Sequence, residues 1–147
     1  MILQNISLLT SDEILKYAPM ITLTKDDWWL KTPEFNTTKY VCTVDFAGFF
    51  DRALCWLVNR GVRPVGIFEM EVSNPLFWHK PEVLVGSKVE FGKYSWTVLD
   101  VKSGGLYALC DDIVAYHCFD EKTNVWEKSE LKHWLETDGL KLCNKEV

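Results

Sequence analysis

A chain of 147 residues, 48% apolar and 25% charged, has the composition of one soluble globular domain and not of a disordered or fibrous protein. Its 16 basic and 21 acidic residues leave a net charge of −5, with the lysines and arginines scattered singly, which excludes a basic footprint for direct nucleic-acid binding. No apolar run approaches the ~20 residues of a membrane span, and Met1 to Asn5 lacks the charged and apolar regions of a secretory leader, so a cytoplasmic protein with no membrane partner is expected.

In chain order, Ile6-Ser7-Leu8-Leu9 is a short apolar run. Thr10 and Glu13 have the spacing of a capping box, predicting a helix through about Tyr17, with Pro19 helping to end it. An irregular stretch leads to Trp28-Trp29-Leu30-Lys31-Thr32-Pro33, where Pro33 pushes Thr32 toward extended geometry. Thr37 to Val44 and Ala53 to Val58 read as the strands of a long hairpin, with residues 45–52 between them. Asn59-Arg60-Gly61 is a turn, and Val62 to Met70 an extended segment in which Pro64 favours a sheet edge or a strand start. Ser73 to Pro81 holds two prolines and no period, so residues 73–85 form a connection between a first half, 1–72, and a second, 86–139. There, Val85 to Phe91 and Tyr94 to Val101 are strands, Lys102-Ser103-Gly104-Gly105 is a hairpin turn, and Leu106 to Val114 returns antiparallel. Ser129 can cap a helix with Leu131, Trp134 and Leu135 on one face, stopped by Asp138-Gly139, leaving 140–147 as a fraying tail. These elements predict an α+β single domain: a twisted antiparallel sheet with two short helices and long loops.

Five cysteines, an odd number without CxxC spacing, suit free thiols better than a disulfide framework. His117-Cys118, with Cys110, Asp111, Asp112, Asp120 and Glu121 nearby, matches no standard zinc spacing, so no metal is expected. No GxGxxG, P-loop, GxSxG or HExxH sequence is present, which favours a protein that is not an enzyme and carries no cofactor. Trp28 and Trp29 either form a ligand platform or, the preferred reading, close a core. Arg63, between Val62 and Pro64, is expected to aim its donors at loop carbonyls or a carboxylate instead of an anionic ligand. Phe46, Phe49 and Phe50 gather around Gly48, and Leu76-Phe77-Trp78 falls in the connection. Aromatic residues concentrated where loops are normally polar either fold back over the core or mark contact sites. Phe49, Phe50, Phe77 and Trp78, with the acidic Asp111 and Asp112, are therefore the candidates for contact with a protein partner.

Two stretches resemble an uncharacterised domain family of Gram-positive bacteria and their mobile elements, marked by "WWLRSP" and "GVRPA". Here they read Trp28-Trp29-Leu30-Lys31-Thr32-Pro33 and Gly61-Val62-Arg63-Pro64-Val65. Val89 to Leu99, with Phe91-Gly92-Lys93-Tyr94-Ser95-Trp96 within it, and Trp126 to Leu135 are similar to the family's opening strand pair and its helix. The resemblance implies structural roles for Trp28, Trp29, Pro33, Arg63 and Pro64, and a circular permutation, because the family's closing half comes first here. It then follows that 62–70 should pair antiparallel with the strand around 89–98, within a monomer or across a domain-swapped dimer. A looser similarity to C-type-lectin-like and formylglycine-generating-enzyme-like domains is a likeness of fold alone. The family brings no established activity. The function expected is a non-catalytic protein-binding module encoded on a phage or other mobile element, an inhibitor of a host defence system such as a CRISPR effector being its specific form. A lectin-like glycan or small-molecule binder and an uncharacterised enzyme are the alternatives.

Overall fold

The computed structural model describes residues 2–69, 85–102 and 105–144. Among them, ten strands form two five-stranded sheets. The first has the order β1 (Ile2–Ser7), β6 (Val65–Glu69), β9 (Gly105–Cys110), β8 (Tyr94–Lys102) and β7 (Lys88–Phe91), all antiparallel. The second has the order β10 (Ala115–His117), β5 (Arg60–Val62), β2 (Trp28–Pro33), β3 (Tyr40–Val44) and β4 (Phe50–Leu54). Only β2 and β5 run parallel, at Trp28 and Gly61. With short helices beside the sheets, the α+β class is what the chain adopts.

Helix α1 (Ser11–Tyr17) opens on the expected capping box: the Glu13 amide donates to Thr10 Oγ1 at 3.1 Å, and the Thr10 amide to Glu13 Oε1 at 3.0 Å. The adjacent tryptophans show how two cores arise. Successive strand residues point to opposite faces, so Trp29 enters a cluster with Leu3, Phe68, Trp96, Leu131 and Leu135, and Trp28 one with Leu9, Ile14, Tyr17, Val65 and Leu109. Each ring removes apolar area worth roughly 2–3 kcal/mol from water. The C-terminal helical segment supplies the first cluster and α1 the second.

The structure corrects several expectations. Among the described residues, 62–69 do not pair with 89–98; β6 lies between β1 and β9, and β8 is on the far side of β9. Lys102 pairs with Gly105 and β8 with β9, and β9 takes the place beside β6. Gly105 is needed there because an added Cβ would stand 2.4 Å from Ile67 and 2.8 Å from the Phe68 carbonyl oxygen. The stretch read as one extended segment changes sheets at Arg63-Pro64, where a residue without an N–H loses no ladder bond. The returning strand of the first hairpin starts at Phe50, earlier than expected, because the loop closes in residues 45–49.

The C-terminal helix does not stop at Asp138-Gly139. Ser129 caps α2 (Glu130–Trp134), accepting from the Lys132 amide, and a π-helical turn, Leu135–Gly139, carries it into α3 (Leu140–Cys143). Gly139 keeps helical dihedrals and serves packing: a Cβ would meet Leu135 at 2.9 Å and Trp134 at 3.1 Å. The supposed tail thus buries Cys143 completely. Among the described residues, no helix is long and apolar enough to cross a membrane.

All five cysteines are free thiols. Burial pushes Cys110 and Cys143 up to about 12 from an ordinary 9.0, so the folded chain keeps protons that the unfolded chain releases from about pH 9. Their contribution to stability is complete below pH 9 and is lost as pH rises toward 12. Tyr17 and Tyr107, also raised by burial, act in the same sense, and Arg63, pulled down to about 10 by burial, acts against them. Urea midpoints should fall from pH 8.5 to 11, and fall less for C110A/C143A.

Candidate functional site

Arg63 is 1% exposed. Its Nε donates to the Cys110 carbonyl at 2.7 Å, Nη1 to the Thr22 carbonyl at 2.8 Å and Nη2 to Thr22 Oγ1 at 2.8 Å. The guanidinium lies 4.9 Å from the Trp28 ring centre, a cation–π contact. Burial lowers it to about 10, well above neutrality, so it remains a cation. Its donors meet the carbonyl that ends β9 and two groups of a loop residue, and in doing so fix Thr22, the neighbour of a surface residue that the sequence does not single out.

That residue is Leu23, 67% exposed, in the segment 21–27 that leads into β2. It rests on Gly48, whose added Cβ would lie 3.0 Å from Leu23 Cδ2. On one side it lines an apolar groove of about 200 Å³ with Ile14, Ile21, Trp28, Val44 and Ala47. On the other it lines a wider cleft of about 530 Å³ with Lys25, Tyr94, Asp112, Ile113 and Tyr116. A strand-like apolar residue inside the polar stretch Thr22-Leu23-Thr24-Lys25 was the available signal, but the contact that gives it meaning comes from the β3–β4 hairpin.

The hairpin loop is held internally. Asp45 N donates to the Phe49 carbonyl at 2.8 Å and Gly48 N to the Asp45 carbonyl at 2.9 Å. Asp45 Oδ1 accepts from Ala47 N at 2.9 Å and Phe49 N at 3.0 Å. Gly48 turns the chain at φ +86°, a conformation that costs glycine little. In this frame Phe46 is 63% and Phe49 71% exposed, and Phe50, opposite Val44 at the start of β4, is 47% exposed. Phe77 and Trp78 lie outside the described residues.

Asp111 and Asp112 part company. Asp111 accepts from Lys88 Nζ at 2.7 Å and Thr97 Oγ1 at 2.5 Å, tying β7 and β8 to the end of β9. Asp112 is exposed. Nearby, Tyr116 donates to Asp26 at 2.5 Å, and Arg60 Nε stands 3.8 Å from Asp27. Carboxylates here are interleaved with cations, so the face is not uniformly acidic. His117 stacks against Trp134 at 5.4 Å, and Cys118 donates to Asn59 Oδ1 at 3.1 Å. Among the described residues, no three His, Cys, Asp or Glu converge as metal ligands. Trp28, Trp29 and Pro64 are buried, and Pro33 is exposed at the end of β2.

Compared with known proteins, the chain matches no family model, no curated protein and no solved structure.

Proposed function

We propose that the chain is a non-catalytic protein-binding module whose contact surface is the β3–β4 hairpin loop together with Leu23. The observation that carries this reading is a group of large apolar side chains, Leu23, Phe46, Phe49 and Phe50, held in the open beside an apolar groove. Contiguous exposed apolar surface costs solubility and marks contact sites, and aromatic anchors dominate binding energies. The resemblance of residues 28–33 and 61–65 to a mobile-element family supports a phage or mobile-element setting, with a host defence effector as the partner class.

The test is affinity capture of the full chain from cells that express it. A stoichiometric partner should co-elute with the wild type and be lost with F46S/F49S, whose melting temperature stays close to wild type because exposed substitutions shift stability by only about 0.5 kcal/mol. Absence of any stoichiometric partner counts against the reading. A second reading, a glycan or small-molecule binder, is favoured by the 530 Å³ cleft with Tyr94, Tyr116 and Asp112 on its walls, a volume in the usual range for ligand sites. Melting shifts with a panel of sugars, abolished by Tyr116→Ala, would favour it.

A further inference from the structure

We propose that the cleft between residues 23–25 and the loop joining β9 to β10 binds a small zwitterion with an apolar body, of the class of the aromatic and branched α-amino acids. Its carboxylate meets Lys25 and its ammonium meets Asp112. This rests on the second reading above, a small-molecule binder at this cleft, and adds the ligand's chemistry. The cleft holds about 530 Å³, a volume in the range of ligand sites. Leu23, Ile113, Tyr94 and Tyr116 give it apolar wall, and Lys25 and Asp112 line it with one charge of each sign.

Both walls are held from behind. Arg63 holds Thr22 through two bonds at 2.8 Å, Thr24 Oγ1 donates to the Asp26 carbonyl at 2.8 Å, and the Gly61 amide donates to the Asp27 carbonyl at 2.9 Å. Across the cleft, the Asp111 amide donates to the Ser95 carbonyl and the Val114 amide to the Val62 carbonyl, each at 2.9 Å. A preformed site lowers the ordering cost of binding. The uncommitted charges then choose the occupant. Asp111 is taken up by Lys88 and Thr97, and Asp26 accepts from Tyr116. Lys93 lies 5.5 Å over the Tyr94 ring, apart from the lining. Lys25 and Asp112 share the cleft, yet among the described residues neither forms an ion pair with the other or with a neighbour. A polyanion would be repelled by Asp112 and a polyamine by Lys25, and a neutral sugar would use neither charge. A zwitterion complements both.

The test is a titration of the isotope-labelled full chain, followed through its amide resonances, with L-phenylalanine, L-leucine, N-acetyl-L-phenylalanine, L-phenylalaninamide and the sugar panel. Wild type, Lys25→Gln and Asp112→Asn are compared, and the same spectra show that each variant, altered at an exposed residue, stays folded. The two free amino acids should shift the amides of residues 23–25 and 112–116. Acetylating the ligand's ammonium should weaken binding about fivefold in wild type and hardly at all in Asp112→Asn, and amidating its carboxylate should do the same in wild type and hardly at all in Lys25→Gln. Equal affinity of wild type for phenylalanine and for both blocked forms overturns the proposal, and so does an unchanged penalty for each blocked form in the matching variant. Shifts of these amides by sugars alone overturn it while leaving the small-molecule reading standing. Amides that respond to no probe remove both.

Discussion

Arg63→Ala should lower the melting temperature by roughly 10 °C, corresponding to about 3 kcal/mol for a chain of this size. The loss follows from what the guanidinium holds: the Cys110 carbonyl, the Thr22 carbonyl and Thr22 Oγ1 lose their donor, and the Trp28 face loses its cation. Of these acceptors the Cys110 carbonyl is buried and, left unpaired, keeps its full desolvation cost, whereas the Thr22 groups are open to water. Arg63→Lys restores the charge but offers a point donor in place of a planar fork, so it should recover less than half of the loss. Thermal denaturation followed by circular dichroism distinguishes the three proteins. An unchanged melting temperature for Arg63→Ala would contradict the structural role.

The second large effect is Trp29→Ala. The ring is completely buried, its Nε1 donates to the His117 carbonyl at 2.7 Å, and its edge meets Phe119 at 5.6 Å. Removing it opens a cavity between the second sheet and the segment after β10, and leaves that carbonyl unpaired. The expected cost is about 4 kcal/mol, measured as the shift in urea midpoint. Trp29→Phe keeps most of the volume and loses the hydrogen bond, so about 1–2 kcal/mol is expected. Equal effects of the two substitutions would mean that the ring's volume is not what the site needs.

The parts of this fold legible in the sequence are those decided by neighbours in the chain. Thr10 and Glu13 cap a helix through bonds spanning three residues, and Ser129 does the same with Lys132. Arg63's role was partly legible, since a cation between Val62 and Pro64 in an extended segment is expected to aim its donors at carbonyls or a carboxylate, and two of them meet carbonyls. Where the reading failed, distant contacts decide. Asp138-Gly139 has the look of a helix stop, yet Gly139 continues the helix because Leu135 and Trp134 pack against it. The division into two sheets depends on where residues 63 and 64 cross, which no local pattern in 62–70 reveals. At the candidate site, the gathering of three phenylalanines around Gly48 could be read in advance, and their exposure is decided only by the fold. Leu23 could not, because its partner lies 25 residues away, nor could the neutralising of Asp111 by Lys88 from another strand.

The most direct test of the binding surface is calorimetric titration of the captured partner with wild type and with F46S/F49S, alongside melting curves of both. Equal melting temperatures and a Kd at least about tenfold weaker for the variant are expected, as loss of aromatic anchors entails. An unchanged Kd with a folded variant would contradict it.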